Sequence, residues 1–133
     1  MYSHITVGTN DGGKAIAFYD AVLGVLGHKR CHGTPEEGFG GYGDMRGDQF
    51  WVLPPFDGAP ATIGNGTHVA FFAETRQAVR NVYETALAHG GTDEGAPGLR
   101  PHYHPNYYGA YFRDPGGNKL QVVCHYAPEK AGD

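Results

Sequence analysis

Two short phrases constrain this chain more than anything else in it: Ser3-His4-Ile5-Thr6-Val7 near the start and Thr67-His68-Val69-Ala70-Phe71 in the middle. Each sets a histidine at the head of an apolar run rich in β-branched or aromatic residues, and a helical pattern follows each. The chain reads as one unit written twice, and the matched histidines point to a site shared between the copies. At 133 residues it is long enough to bury one compact core, while each half is too short to do so alone. The expectation is a single domain over 1–133, with module 1 at about 1–56, a connector at 57–66 and module 2 at about 67–127.

The pattern inside each half supports the duplication. After the first strand, Asn10-Asp11-Gly12-Gly13 offers cap chemistry, and Ile16, Phe18, Tyr19, Val22, Leu23 and Leu26 recur at helical spacing until Gly27. A glycine-punctuated stretch leads to a strand over 48–53, closed by Pro54-Pro55. In the second half a strand starts at His68, and Thr75 caps a helix carrying Ala78, Val79, Val82, Tyr83, Ala86 and Leu87, which Gly90-Gly91 ends. A long loop then precedes a hairpin, Gly109 to Arg113 and Lys119 to Cys124, joined by Asp114-Pro115-Gly116-Gly117-Asn118. Strand, helix and further strands in each half make the class α+β, with the helix covering one face of its sheet and the other face left for a site.

Composition removes several classes of function. Formal net charge is -4 with no basic cluster, so neither nucleic acid nor an anionic membrane surface finds a partner here. No stretch approaches the roughly 18–20 apolar residues of a spanning helix, and the start carries no signal-like apolar run, so a cytoplasmic address is expected. Cys31 and Cys124 are too few and too far apart for a zinc quartet, and read as structural free thiols in a reducing compartment.

Strand alternation locates the chemistry. His4 and Thr6 share one face and Ile5 and Val7 the other, while His68, Ala70 and Phe72 share a face in the second copy. The apolar positions seat the helices, both histidines take the free side, and a pseudo-twofold would bring them together. A strand-head histidine with a hydrogen-bond partner is the ordinary alternative to a metal ligand. The repeated context favours the ligand. By the same alignment of halves, Trp51 and Gln121 are the other inward candidates. Trp51 reads as pocket wall, since an indole has no lone pair for a metal.

These residues resemble the vicinal-oxygen-chelate superfamily, the glyoxalase, bleomycin-resistance and extradiol-dioxygenase family. The resemblance spans nearly the whole chain and rests on His4-Ile5-Thr6-Val7 with Ala17-Phe18-Tyr19-Asp20 and Leu23-Gly24, on Gly66-Thr67-His68-Val69-Ala70-Phe71, and on Phe112 to Gln121. It implies two βαβββ modules forming a cupped mixed sheet around a divalent metal (Zn, Ni, Mn or Fe), with a homodimer as the assembly. It carries the metal ligands over to His4, His68 and Gln121, with Trp51 at or beside a fourth position. The family most often has glutamate at the place of Gln121, and glyoxalase I has a second glutamate where this chain has Phe50-Trp51. An amide oxygen can bind a dication but removes one negative charge from the site. It also removes the base for a glyoxalase-type proton shift and the carboxylate of a two-histidine iron site.

The second concentration of chemistry is Arg100-Pro101-His102-Tyr103-His104-Pro105-Asn106-Tyr107-Tyr108, in a loop placed to fold over the cup. Its rings offer flat apolar faces with polar tips, and Arg100 or Arg113 could pair with a carboxylate. The expected catalytic pair is His104 and Tyr107, with His125 a further candidate. Trp51, His102, Tyr108 and Arg113 are expected to bind substrate. The functional expectation is a metal-dependent enzyme of lyase, isomerase or transferase type acting on a small molecule with adjacent oxygens. The alternative is a metal-free binding protein of the bleomycin-resistance type.

Overall fold

Asp11 starts the first helix. Its carboxylate accepts the Lys14 amide at 3.1 Å and satisfies a donor that the first turn would leave bare. Helix α1 then runs Gly12–Val25, after strand β1 at His4–Gly8. Thr75 repeats the device, its hydroxyl accepting the Ala78 amide at 3.0 Å ahead of α2, Arg76–Ala88, which follows β5, Val69–Phe72. The computed structural model describes residues 1–128 and 133. Three further strands complete each half: β2 Arg30–His32, β3 Gly40–Asp44 and β4 Gly47–Leu53 in the first, β6 Thr92–Leu99, β7 Tyr108–Arg113 and β8 Lys119–Cys124 in the second.

The strands form two four-stranded sheets, in the orders β1-β4-β3-β2 and β5-β8-β7-β6. In each, the first strand runs parallel to the last and the remaining neighbours are antiparallel. The two βαβββ modules are therefore the same object twice, with β1 and β5 left as edge strands. The hairpin turn is the expected one, tied by the Asp114 amide to the Asn118 carbonyl at 2.9 Å. The long loop expected before Gly109 is partly strand. Thr92–Leu99 pairs with β7 through two register shifts, and its glycines and Pro97 conceal any alternation. The proline is tolerated because β6 is the outer strand of its sheet.

The helices sit differently on their sheets. Helix α2 presents a narrow stripe, Val79, Val82 and Ala86, all fully buried, whereas α1 buries Ala15, Ile16, Phe18, Tyr19, Val22 and Leu23. The wider apolar surface of α1 follows from its neighbours, because it lies on its own sheet, packs against α2 and reaches the other module, where Phe18 meets Phe112 at 6.4 Å. Each of these large side chains contributes roughly 1.5–3 kcal/mol by leaving water. Phe50 of the first sheet contacts Phe71 of the second edge to face at 5.2 Å. One apolar cluster holds Tyr42, Phe50 and Val52 together with Ala110, Phe112, Leu120 and Val122. The helix-covered faces of both sheets thus turn toward a common core, and the open faces turn outward.

Candidate functional site

That arrangement decides where the histidines go. Register pairs His4 with Gln49 and Thr6 with Trp51 on the open face of the first sheet. On the second, Ala70 and Tyr111 flank Gln121 on the open face, and the His68 ring meets the Tyr111 ring edge to face at 6.0 Å. The repeat leads to the expectation that His4 and His68 converge, and the register sets them on the open faces of two separate sheets. The helix-covered faces of those sheets share one core. Among the described residues no group of three or more His, Cys, Asp or Glu could hold an ion.

On the first face the imidazole Nδ1 of His4 shares a hydrogen with the Ser3 hydroxyl at 2.8 Å, which leaves Nε2 outward. Trp51 lies flat across Gly41, where a Cβ would come within 2.8 Å of the indole. Stacked on it are His32, 5.0 Å between centroids, and Phe39 at 6.3 Å. The indole N–H donates to Gln49 Oε1 at 3.1 Å. Trp51 thus lies on the open face of the first sheet, packed on Gly41, His32 and Phe39.

The second face is richer. Gln121 is buried, its Nε2 donating to the Tyr107 hydroxyl in a short hydrogen bond, and the Tyr107 ring leans over Gly109. Tyr107 therefore lies as a cover on the amide that the sequence offers as a ligand. Burial, then the hydroxyls of Tyr103 and Tyr107, hold the Tyr111 phenol well above its ordinary range. Around Tyr111 stand Lys119, with its ammonium 5.4 Å from the ring centroid, and Arg100 at 5.8 Å. Arg113 donates from Nε to Glu94 at 2.5 Å and from Nη1 to the Gly117 carbonyl at 2.9 Å. His102 is exposed and packs on Tyr103 at 4.2 Å.

The loop is folded back on itself, with the Arg100 amide on the Tyr107 carbonyl at 2.7 Å and the Tyr103 amide on the Arg100 carbonyl at 3.0 Å. His104 is fixed by two bonds. The Asn106 amide donates to its Nδ1 at 3.1 Å, so the neutral ring carries its proton on Nε2, which faces His125 Nδ1 at 2.9 Å. His125 then carries its own proton on Nε2. The exchangeable end of this pair is His125, one residue past β8, and His104 orients it.

Tyr108 departs from expectation. Strand alternation sends it under α2, where Arg76 and Arg80 lie over its ring at 5.3 and 5.7 Å and Arg80 Nη1 donates to its hydroxyl at 3.2 Å. It belongs to the helix side and does not reach the open face. Conversely, Lys119 and Tyr111 carry much of the second face, and neither belongs to a motif in the sequence that marks it for a site. The alternation 119, 121 in β8, read with the same parity in β7, is the signal that finds them.

The sequence of residues 2–122 matches the model of the Glyoxalase/Bleomycin resistance protein/Dioxygenase superfamily. The chain belongs to this superfamily. A solved glyoxalase/bleomycin resistance protein from Albidiferax ferrireducens is 35% identical, with the match covering 95% of this chain and 99% of that one at a TM-score of 0.83. Two more distant structures share the superfamily fold. One is a glyoxalase-related enzyme from Fulvimarina pelagi, at 21% identity, 93% and 87% coverage and a TM-score of 0.72. The other is a lactoylglutathione lyase from Agrobacterium tumefaciens, at 20% identity, 92% coverage of each chain and a TM-score of 0.63. No protein of curated function matches the sequence. Among the described residues no helix is long and apolar enough to cross a membrane.

Proposed function

We propose that the protein is a cytoplasmic, glyoxalase-like enzyme of the lyase, isomerase or transferase kind. It uses a divalent metal on a small substrate with adjacent oxygen atoms, and works as a homodimer. The observation that carries this reading is the pair of histidines at equivalent strand heads, each on the open face of its sheet. Because one chain turns these faces apart, a site containing both takes His4 from one protomer and His68 from its partner. The chemistry of the donors fits zinc, nickel, manganese or ferrous iron. His4 has one nitrogen oriented by Ser3 and the other exposed, the arrangement that fixes a ligating imidazole. Gln121 would add its Oε1, its Nε2 being held by Tyr107.

A bound dication would polarise the substrate oxygens and stabilise charge that develops on them. The chain's own residues do the rest. His125 moves the proton, through Nε2, while His104 holds its ring. Tyr107, whose hydroxyl accepts from the Gln121 amide, offers its own O–H to the substrate. Trp51 and His102 wall the site, and Arg113 lines it. Two unpaired strand edges, β1 and β5, border an apolar groove of about 490 Å³ lined in part by Tyr2, Ile5, Phe50, Phe71 and Phe72, which supports pairing with a second copy. The free thiols Cys31 and Cys124 suit a reducing compartment.

Elemental analysis with nickel, zinc, manganese and ferrous titration tests the reading. The wild type is expected to bind about one ion per site, and the His4→Ala, His68→Ala double variant none; a wild type that takes up no metal would sink it. The second reading, metal-free binding in the manner of bleomycin-resistance proteins, is favoured by one observation, the occupation of buried Gln121 by Tyr107. Gln121→Glu separates the two, since it should tighten metal binding if position 121 ligates.

A further inference from the structure

Two clefts on the open face of the second sheet share His68 and Lys119. One, about 460 Å³, adds the connector residues Ile63 to Thr67 and Arg113. The other, about 300 Å³, adds Glu94, Arg100, His102, Tyr103 and Tyr111. Three permanent cations therefore meet a single carboxylate here, in a chain whose formal charge is -4. Glu94 is already committed to Arg113. Arg100 directs its guanidinium to the carbonyls of Gly98 and Ala96, each at 2.9 Å, and neither it nor Lys119 has a carboxylate partner among the described residues. Both stand against the same ring, Tyr111. Like charges gathered on an aromatic wall repel one another unless an anion comes between them, and a cleft focuses their field.

We infer that this trough binds a small organic molecule carrying a carboxylate or phosphate group, whose anionic oxygens lie between Lys119 and Arg100 while its remainder rests on Tyr111 beside His68. The inference rests on the open face being the substrate site, and it names the charge class of that substrate. The cationic edge of the trough is independent of metal, so its test is run on chelator-treated protein.

Calorimetric titration with succinate and with inorganic phosphate provides the probes. Saturable binding of either supports the trough, and the tighter of the two identifies the anion. Lys119→Gln and Arg100→Gln should each weaken it at least tenfold, Arg100→Lys should retain it within a few-fold, and Arg46→Gln, in the β3–β4 turn, should leave it unchanged. Thermal melts of each variant report whether the fold is intact. The inference is overturned if neither probe binds saturably, if Lys119→Gln binds as the wild type does, or if Arg46→Gln weakens binding as much. Failure here leaves the metal reading standing, since that is judged by ion uptake in the His4 and His68 variants.

Discussion

The Tyr19 hydroxyl donates to Asp114 Oδ2 at 2.6 Å in a fully buried setting, and it is the contact by which α1 of one module holds the hairpin turn of the other. Asp114 also accepts the amide and side chain of Asn118 at 2.8 and 2.9 Å, so the carboxylate depends on all three donors. Tyr19→Phe should destabilise the fold by about 2 kcal/mol, measured by urea unfolding, because it leaves a charged acceptor short of a partner. Burial, then the Asp114 charge, raises the Tyr19 phenol well above its ordinary range, and burial with the Asp20 hydrogen bond does the same for Tyr42. Both protons stay bound in the folded state above about pH 10, where the unfolded chain releases them. The associated stability is complete below about pH 10 and falls above it, by about 1.4 kcal/mol per unit for each phenol. The urea midpoint should drop accordingly in alkali, and Tyr19→Phe should lessen the slope; a midpoint flat to pH 11 would contradict this.

At the level of elements, the caps and the stripes were readable and the weak strands were not. Asp11 and Thr75 announce their helices because the same side chains that stop extended chain satisfy first-turn amides. Thr75→Ala should accordingly cost about 1 kcal/mol in chemical denaturation. β2, β3 and β6 carry no clear strand pattern, since Arg30–His32 is only three residues long, Gly40–Asp44 is mostly glycine and β6 is interrupted by glycine, proline and bulges. The strand-head histidines and Gln121 could be placed on a face by counting in twos, but not which way each face would point. That depends on Phe18 and Phe50 reaching across to Phe112 and Phe71, and no local pattern encodes a choice of partner. Tyr108 shows the same limit one residue at a time, as a loop reading cannot tell where alternation begins. Gly41 carries a further element-level expectation. A methyl there would enter the Trp51 ring, so Gly41→Ala should cost about 1–3 kcal/mol and displace the indole, visible as a shifted near-ultraviolet circular dichroism band.

For the whole molecule, outward-turned faces make the proposed site a property of two chains. Light scattering should return a dimer, and Phe72→Glu, which charges the groove beside β5, should shift it toward monomer. A mixing experiment asks more. His4→Ala and His68→Ala proteins are each expected to lack every site, yet unfolding and refolding them together should restore about a quarter of wild-type metal binding, because half the dimers are mixed and each mixed dimer rebuilds one of its two sites. No recovery would return the site to a single chain. The lone tryptophan adds a consequence of its own. Stacked with His32 and Phe39 on the first sheet, it makes one open face luminous and leaves the other dark. Its emission should respond to an ion arriving at His4 and stay silent to an anion held at Lys119 in the separated protomer. When two protomers close together, the same lamp illuminates both events, and the anion titration acquires a fluorescence signal that only assembly can give it.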